Sequence, residues 1–528
     1  MSKSTDLLAA LRGCLLAVMT IWSGYAIAII DVTENIELEG YVKAQNVIRE
    51  QSLGSSELIM QRNTVQLEGK YYFLKDGKAF GRFNAGRLEE ATLTIIGRSV
   101  YDSVFDHRDS FKDLDDFNGS NIREVFVDLV IPPFSFRVGR QQVVWGETDN
   151  FRALDILNPI DLSWHWSQEP WEDIRIPLWM VRGIYDIGKI GPFEETFIES
   201  VWIPADFEPN IVSTDPRYPW SFYGAGLPEV ANATVIDGTL YDLNVAINDR
   251  GPGKSMSEGQ AGVRFKGIWR DIEFSLNYFN GYSTTTGVKF RPELTRIEGD
   301  DLYTSVDLVN PRIEVFGVTA NYSEDRFTQS VLRLEASVTK GIPVSYKPDT
   351  PLSVDPEQDL FDTTDQMVIM FGMDRPTWIR ALNRSRTFFF SGQLFWRRYL
   401  DYSRHYQGLS AVAPAMGGGQ VIPGRFVSEV ASTPNQDEFV FTLGISTTYG
   451  RAGKIKPGFV FAYDPRSTGA LNKLTLEYLW SKHFVVKASQ SFYWRKDDDE
   501  FGPWAIGDLY GRKDRRRNET TIEMIFQF

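Results

Sequence analysis

Apolar and polar positions alternate with a period of two along most of this chain. Ile36, Leu38, Gly40, Val42 and Ala44 alternate with Glu37, Glu39, Tyr41 and Lys43, and Leu332, Leu334, Ala336 and Val338 alternate with Arg333, Glu335, Ser337 and Thr339. Near the end, Leu474, Leu476, Tyr478 and Trp480 alternate with Lys473, Thr475 and Glu477. Side chains leave a strand on opposite faces in turn, so each run predicts a strand with one greasy and one polar face. About eighteen such strands are read between 35–46 and 516–528, among them 63–75, 134–146 and 364–374, and sixteen would also fit the pattern. Helical stretches hardly interrupt them; the run 375–384 reads as one helical turn.

The links between strands carry more information than the strands. From the fourth strand on, short links such as Pro132-Pro133 and 269–271 mostly alternate with long ones at 147–175, 205–257, 283–310, 340–363 and 401–434. One short link, near 464–470, falls where a long one is expected. A soluble sandwich has no reason to put its long loops on alternate links. A transmembrane antiparallel β-barrel does, with tight turns at one rim and long loops at the other.

Both ends of the chain fit that expectation. Ile522, Met524, Phe526 and Phe528 alternate with Thr521, Glu523 and Gln527, so the last strand keeps its register to the final residue and is expected to close the barrel against the first. The terminal aromatic also resembles the C-terminal signal that hands Gram-negative barrels to their assembly machinery, which makes Phe528, Phe526 and Met524 its carriers. Residues 1–28 contain Lys3, Arg12, the apolar run LLAVMTIW and Ala26-Ile27-Ala28, the pattern of a secretory signal with a small-x-small cleavage site. Residues 29–528 then form a single barrel. The only cysteine, Cys14, lies in the signal, so the exported chain uses no disulfide.

Composition narrows the setting. The chain has 36 Phe, 22 Tyr and 14 Trp, and its net charge of −14 argues against nucleic acid as a partner. Beyond the signal no apolar run is long enough for a membrane helix. The expected location is the bacterial outer membrane, among its lipids and lipopolysaccharide.

If apolar alternates face lipid, the lumen receives Glu124, Asp128, Arg137, Arg182, Glu199, Arg264, Lys266, Glu273, Arg333, Glu335, Glu477, Lys487, Arg495 and Glu523. The signs are mixed, which reads as paired charges in a hydrated wall rather than a one-sided ring. The segment with most chemical character is 135–166, which leaves a strand at Trp145-Gly146 and enters a loop rich in acids, Leu154, Ile156, Leu157, Trp164, His165, Trp166 and Trp171. A loop this apolar is costly to leave in water, so 147–175 is expected to fold into the lumen and narrow it. The pore-lining candidates are Arg137, Gln141, Trp145, Glu147, Arg152, Asp155, Asn158, Asp161, Trp164 and Trp166. Arg137 is expected to face Asp155 and Asp161 and latch the base of the loop.

The run R-x-G-x-Q-x-x-x-W-G followed by D-x-x-N-P-x-D is carried by Arg137, Gly139, Gln141, Trp145, Gly146, Asp155, Asn158, Pro159 and Asp161. It resembles an outer-membrane barrel family catalogued as domain of unknown function 1302, with further similarity in RLEASVTKG (333–341), MFGMDRPTW (370–378), FFFSGQLFW (388–396) and FVFAYDPR (459–466). The resemblance implies a barrel working beside periplasmic lipoproteins and inner-membrane pumps, and passing lipid-like or other hydrophobic molecules.

Enzymatic signals are thin. The four histidines, His107, His165, His405 and His483, sit in no metalloprotease motif, and there is no G-x-S-x-G elbow. GPGKS at 251–255 lacks the earlier glycine of a phosphate loop, because Asn248 stands there. The Asp-rich stretches 102–116 and 497–500 read as solvated loops rather than cation sites. No cofactor is implied. The expectation is therefore a channel for a small hydrophobic or amphipathic molecule, with a hydrophilic diffusion porin and a non-transporting scaffold as alternatives. A greasy lumen would favour the first, an open charged eyelet the second.

Overall fold

The computed structural model describes residues 30–52, 55–75, 77–79, 83–108, 118–148, 152–165, 169–211, 233–236, 238–346, 361–407, 411–417, 420–429, 435–465, 469–494 and 518–528. The proposed signal, Trp166, Arg495 and the acidic stretch 497–500 lie outside them. Among the described residues no helix is long and apolar enough to cross a membrane, which says nothing about crossing by strands.

Eighteen antiparallel strands form one closed barrel. In order they are β1 (Ile36–Ser52), β2 (Ser55–Lys75), β3 (Glu90–Asp102), β4 (Gly119–Ile131), β5 (Phe134–Gln141) and β6 (Leu178–Ile190). Next come β7 (Phe193–Ile203), β8 (Gln260–Trp269), β9 (Ile272–Tyr282), β10 (Arg312–Glu324), β11 (Ser330–Tyr346) and β12 (Phe361–Thr377). The ring is completed by β13 (Phe388–Tyr399), β14 (Asp437–Ser446), β15 (Ile455–Asp464), β16 (Gly469–Leu479), β17 (Phe484–Trp494) and β18 (Glu519–Gln527). β18 pairs with β1 from Tyr41 opposite Gln527 to Arg49 opposite Glu519, which leaves the ring without a free edge. Phe528 adds two backbone bonds at the seam, donating to the Gly40 carbonyl at 3.0 Å and accepting from the Gly40 N–H at 2.9 Å.

The alternation read along the chain is the alternation of the wall. Leu67, Ile95, Phe136, Leu276, Phe316, Phe371, Leu394 and Leu474 are exposed on the outer face, as a lipid-facing band requires. The ends of β1, β3, β5, β7, β9, β11, β13, β15 and β17 stand at one rim, and the long links depart from there, with short exceptions after β1 and β15. The other rim carries tight turns, apart from the longer links 76–89, 378–387 and 447–454. The expected helical turn at 375–384 is displaced: β12 runs on to Thr377, and the turn is closed by the Asn383 N–H donating to the Ile379 carbonyl at 2.9 Å.

The described parts of the long loops carry further strands. Strands from three of them form a second sheet, in which Thr239–Asp249 runs parallel to Asp301–Val309 and Ala233–Ile236 meets Gln420–Glu429.

Candidate functional site

β5 ends at Gln141 and not at Gly146, because a side chain takes over the ladder. Asn158 accepts from the Val143 N–H at 2.8 Å and donates to the Gln141 and Ile176 carbonyls at 3.2 and 2.9 Å. The chain thus peels off the wall and enters the lumen, returning at β6. Gln141 faces inward and donates from Nε2 to the Met180 carbonyl at 3.1 Å. Two motif glycines have steric reasons to be there. Gly139 sits at φ +142, where a Cβ would collide with the Val125 carbonyl, and a Cβ on Gly146 would lie 2.8 Å from the Asp155 nitrogen.

From that root the loop crosses the barrel. On the far side, Glu335 of β11 accepts from the backbone N–H groups of Glu147 and Leu154 at 2.8 and 2.6 Å. Trp145 and Leu154 press against Gly262 of β8 and Gly317 of β10; a Cβ at Gly262 would come within 2.6 Å of the indole. Around them Val143, Leu157, Leu178, Met180, Val201, Ile203, Phe279, Ile313 and Val315 form one buried cluster. Glu147 also accepts from Asn321 and lies 3.6 Å from Lys266.

On the near side the contacts are ionic. Glu169 lies 2.8 Å from Lys43 of β1 and 3.4 Å from Arg62 of β2, while Asp173 pairs with Arg98 of β3 and with Lys43 at 3.4 Å. Trp164 is stacked beneath Arg62, whose guanidinium carbon is 4.6 Å from the ring centroid, with Arg98 at 5.5 Å. His165 Nε2 lies 2.8 Å from Glu519 of β18, which also binds Arg49 at 2.5 Å. Burial alone would raise the Glu169 carboxyl, but Lys43 and Arg62 overcome it and hold it at about 2.

Arg62 on β2 and Glu335 on β11 are nine strands apart (11 − 2) in a ring of eighteen, so the two sets of anchors stand on opposite walls. The loop bridges the lumen. Its described contacts fall on β18, on β1 to β6 and on β7 to β11. The remaining wall is different in kind. Met370, Phe395, Val440, Ala462, Leu471 and Tyr493 all occupy lumen-facing positions of β12 to β17 and pack into one apolar band. Register accounts for most of its steps: Glu335 is opposite Met370, Met370 opposite Phe395, Phe395 opposite Val440, Ala462 opposite Leu471, and Leu471 opposite Tyr493, whereas Ala462 is opposite Thr442 and so sits one inward step away from Val440.

The predicted residues divide accordingly. Gln141, Trp145, Glu147, Arg152, Asp155, Asn158, Asp161 and Trp164 all belong to the root or the span of the crossing loop. Asp155 is bound by Arg175 at 2.8 Å and by Arg152 at 3.3 Å, and Asp161 receives the Ser163 N–H at 3.0 Å. Arg137 does not join them. It is bidentate to Asp128 on the neighbouring strand, at 2.7 and 3.0 Å, and lies 4.0 Å from the centre of the Phe126 ring. The expected latch to Asp155 and Asp161 is therefore absent, because a cross-strand carboxylate in register is nearer than the loop. Phe528, Phe526 and Met524 lie on the outer face at the seam, the two phenyl rings 6.2 Å apart. Inward charges pair as Arg182–Glu199–Arg264, Arg333–Asp374 and Lys487–Glu523. Sequence reasoning missed Lys43, Arg62, Arg98, Glu169 and Met370. Arg62 stood just outside a strand read as beginning at residue 63, and lumen-facing Met370 carries no polar mark.

A model of the family described as protein of unknown function (DUF1302) matches residues 54–510. No curated protein matches the chain. Among solved structures it is similar to OccAB2 of Acinetobacter baumannii at 10 % identity, over 95 % of this chain and 99 % of that one, with a TM-score of 0.44. OccAB3 of the same organism gives 8 % identity, 94 % and 100 % coverage and a TM-score of 0.44. OccK11 (OpdR) of Pseudomonas aeruginosa gives 7 % identity, 93 % and 96 % coverage and a TM-score of 0.42.

Proposed function

This chain belongs to the family described as protein of unknown function (DUF1302), and from that premise and the chemistry of its lumen we propose that it is an outer-membrane channel for a small hydrophobic or amphipathic molecule. The lipid-facing band on a closed barrel supports the membrane location. The substrate class rests on one observation. The side chains of Met370, Phe395, Val440, Ala462 and Leu471 face the lumen, yet each is only 0–8 % exposed.

A hydrophilic diffusion pore keeps its narrowest level wet and polar, so that solutes exchange hydration water for wall groups. Here the charges on the loop side are taken up by one another, and the wall opposite offers apolar surface. Water gains nothing from such a wall. An alkyl or aromatic body gains about 25 cal/mol per Å² buried. A passing molecule would take its contacts from this band, between the two walls on which the loop is anchored. The reading contains no catalytic step.

The test uses cells whose lipopolysaccharide excludes N-phenyl-1-naphthylamine. Expressing the protein in a strain lacking its gene should change the rate at which this probe crosses the envelope, and Phe395→Arg should abolish that change. Faster arabinose entry with no effect on the probe would contradict the reading and favour a hydrophilic porin.

A further inference from the structure

Three neighbouring links at the tight-turn rim differ in charge from the rest. They are 378–387 between β12 and β13, 447–454 between β14 and β15, and 480–483 between β16 and β17. With Arg375 near the end of β12, they carry Arg380, Arg384, Arg386, Arg451, Lys454 and Lys482, all exposed, and not one acid. None of these cations lies within ion-pair distance of a carboxylate among the described residues. Elsewhere on this rim the signs are mixed: Lys189 pairs with Glu194 at 2.7 Å, Arg270 is followed by Asp271, and Asp325 by Arg326.

Hydrogen bonds tie the three links into one plate. Asn383 donates to Thr447 Oγ1 and the Thr448 carbonyl at 3.1 and 3.0 Å, and the Tyr449 hydroxyl donates to the Leu382 carbonyl at 3.4 Å. The Leu479 N–H donates to the Lys454 carbonyl at 2.8 Å, and Lys454 Nζ to the Trp480 carbonyl at 3.3 Å. Cations fixed side by side without acids create a positive potential that draws in anions.

Two observations identify a lipid as their source. Arg375 is on the outward face: it stands opposite Phe390, and the same row continues through Ile445 and Phe459 to the exposed Leu474. Trp480 leaves β16 on that face too, its ring 6.0 Å from that of Tyr478, as the aromatic residues bordering a bilayer do. A soluble acidic partner would have to enter the bilayer to meet Arg375.

We propose that this plate seats the headgroup of an anionic phospholipid, with Arg375, Arg380, Arg384 and Arg386 at its phosphate and its acyl chains along Phe390, Ile445 and Phe459. This rests on the membrane location and goes beyond the channel reading. The lipid lies against the outside of the wall whose inner face carries Met370, Phe395 and Val440. Guanidinium forks match phosphate oxygens, and basic groups beside the headgroups favour anionic lipids.

The test is titration of the delipidated barrel with phosphatidylglycerol or phosphatidylcholine, read by native mass spectrometry. Wild type should bind phosphatidylglycerol saturably and about tenfold more tightly than phosphatidylcholine. Arg380→Gln/Arg384→Gln/Arg386→Gln should remove that preference. Arg451→Gln/Lys454→Gln should reduce it by a smaller factor and serves if the first variant does not fold. Arg270→Gln/Arg326→Gln, on the mixed part of the rim, should leave it intact. No preference in wild type, or one undiminished in both plate variants, would overturn the seat. So would plate-dependent binding of soluble polyglutamate without any lipid preference, which would mark a protein-docking face. Recovery of the native chain from the soluble fraction of cells would overturn the membrane location itself. A plate-dependent preference in a protein that moves no probe in cells would leave the seat standing and overturn the channel.

Discussion

Two glycines decide where the crossing loop can rest. At Gly317 a Cβ would fall inside the Leu154 side chain, and at Gly262 it would meet the Trp145 ring. Gly317→Val should displace Leu154 and cost about 1–3 kcal/mol, the usual penalty of overpacking, without disturbing strand pairing on the lipid side. Unfolding of the purified barrel and trypsin cutting within 142–177 would measure this; unchanged cutting would mean the loop does not lean on that strand. Arg137 makes the opposite case. Its partner Asp128 and its own side chain are each close to a third exposed, so the pair contributes at most about 1 kcal/mol. Arg137→Ala should leave leak through the barrel unchanged, and a leakier channel would revive the latch that the sequence suggested. Its inward placement was legible from Phe136 and Val138 on either side. Its partner was not, because alternation gives a side chain's face but not which of several carboxylates stands in register with it.

The loop as an element has two unlike footholds, one of backbone and apolar contacts and one of ion pairs. Glu335 holds the first by accepting two backbone N–H groups, and losing such buried bonds costs about 1–3 kcal/mol. Glu335→Ala should therefore loosen the Trp145 end and raise trypsin cutting there, whereas Glu335→Gln should have a milder effect. The ionic foothold responds to acid. Glu169 is held below its ordinary value of 4.5, at about 2, so its contribution is complete above pH 4.5 and is lost as pH falls toward 2. Conductance in planar bilayers should rise over that window, and Glu169→Gln should remove this part of the response. That the segment folds inward was legible in its density of Trp, Leu and Ile. Its bounds were not: they move to 142–177 because Asn158 intercepts Val143. Nor were its ionic partners, since Glu169 meets Lys43 across 126 residues of chain, a contact that no local pattern encodes.

For the whole molecule, strand number and closure were the most legible features, because short and long links alternate only when strands run up and down one ring. The second sheet was hidden for a physical reason. Its central parallel pairing joins Thr239–Asp249 to Asp301–Val309 across an intervening barrel hairpin, so no turn signal announces it. Closure leads to a prediction about Phe528, which is one outward aromatic worth roughly 1.5–3 kcal/mol of burial. Its removal should sharply reduce assembly in cells while refolding into detergent stays nearly normal, and equal losses in both settings would argue against a recognition role. The central claim concerns the lumen: one loop, anchored on opposite walls, bridges it and leaves an apolar wall as its counterpart. Single-channel conductance in planar bilayers, compared between the intact chain and a variant lacking residues 150–170, tests this most directly. The intact barrel should show small, rare openings and the deletion a large, steady conductance; equal conductance in the two would contradict a loop that bridges the pore.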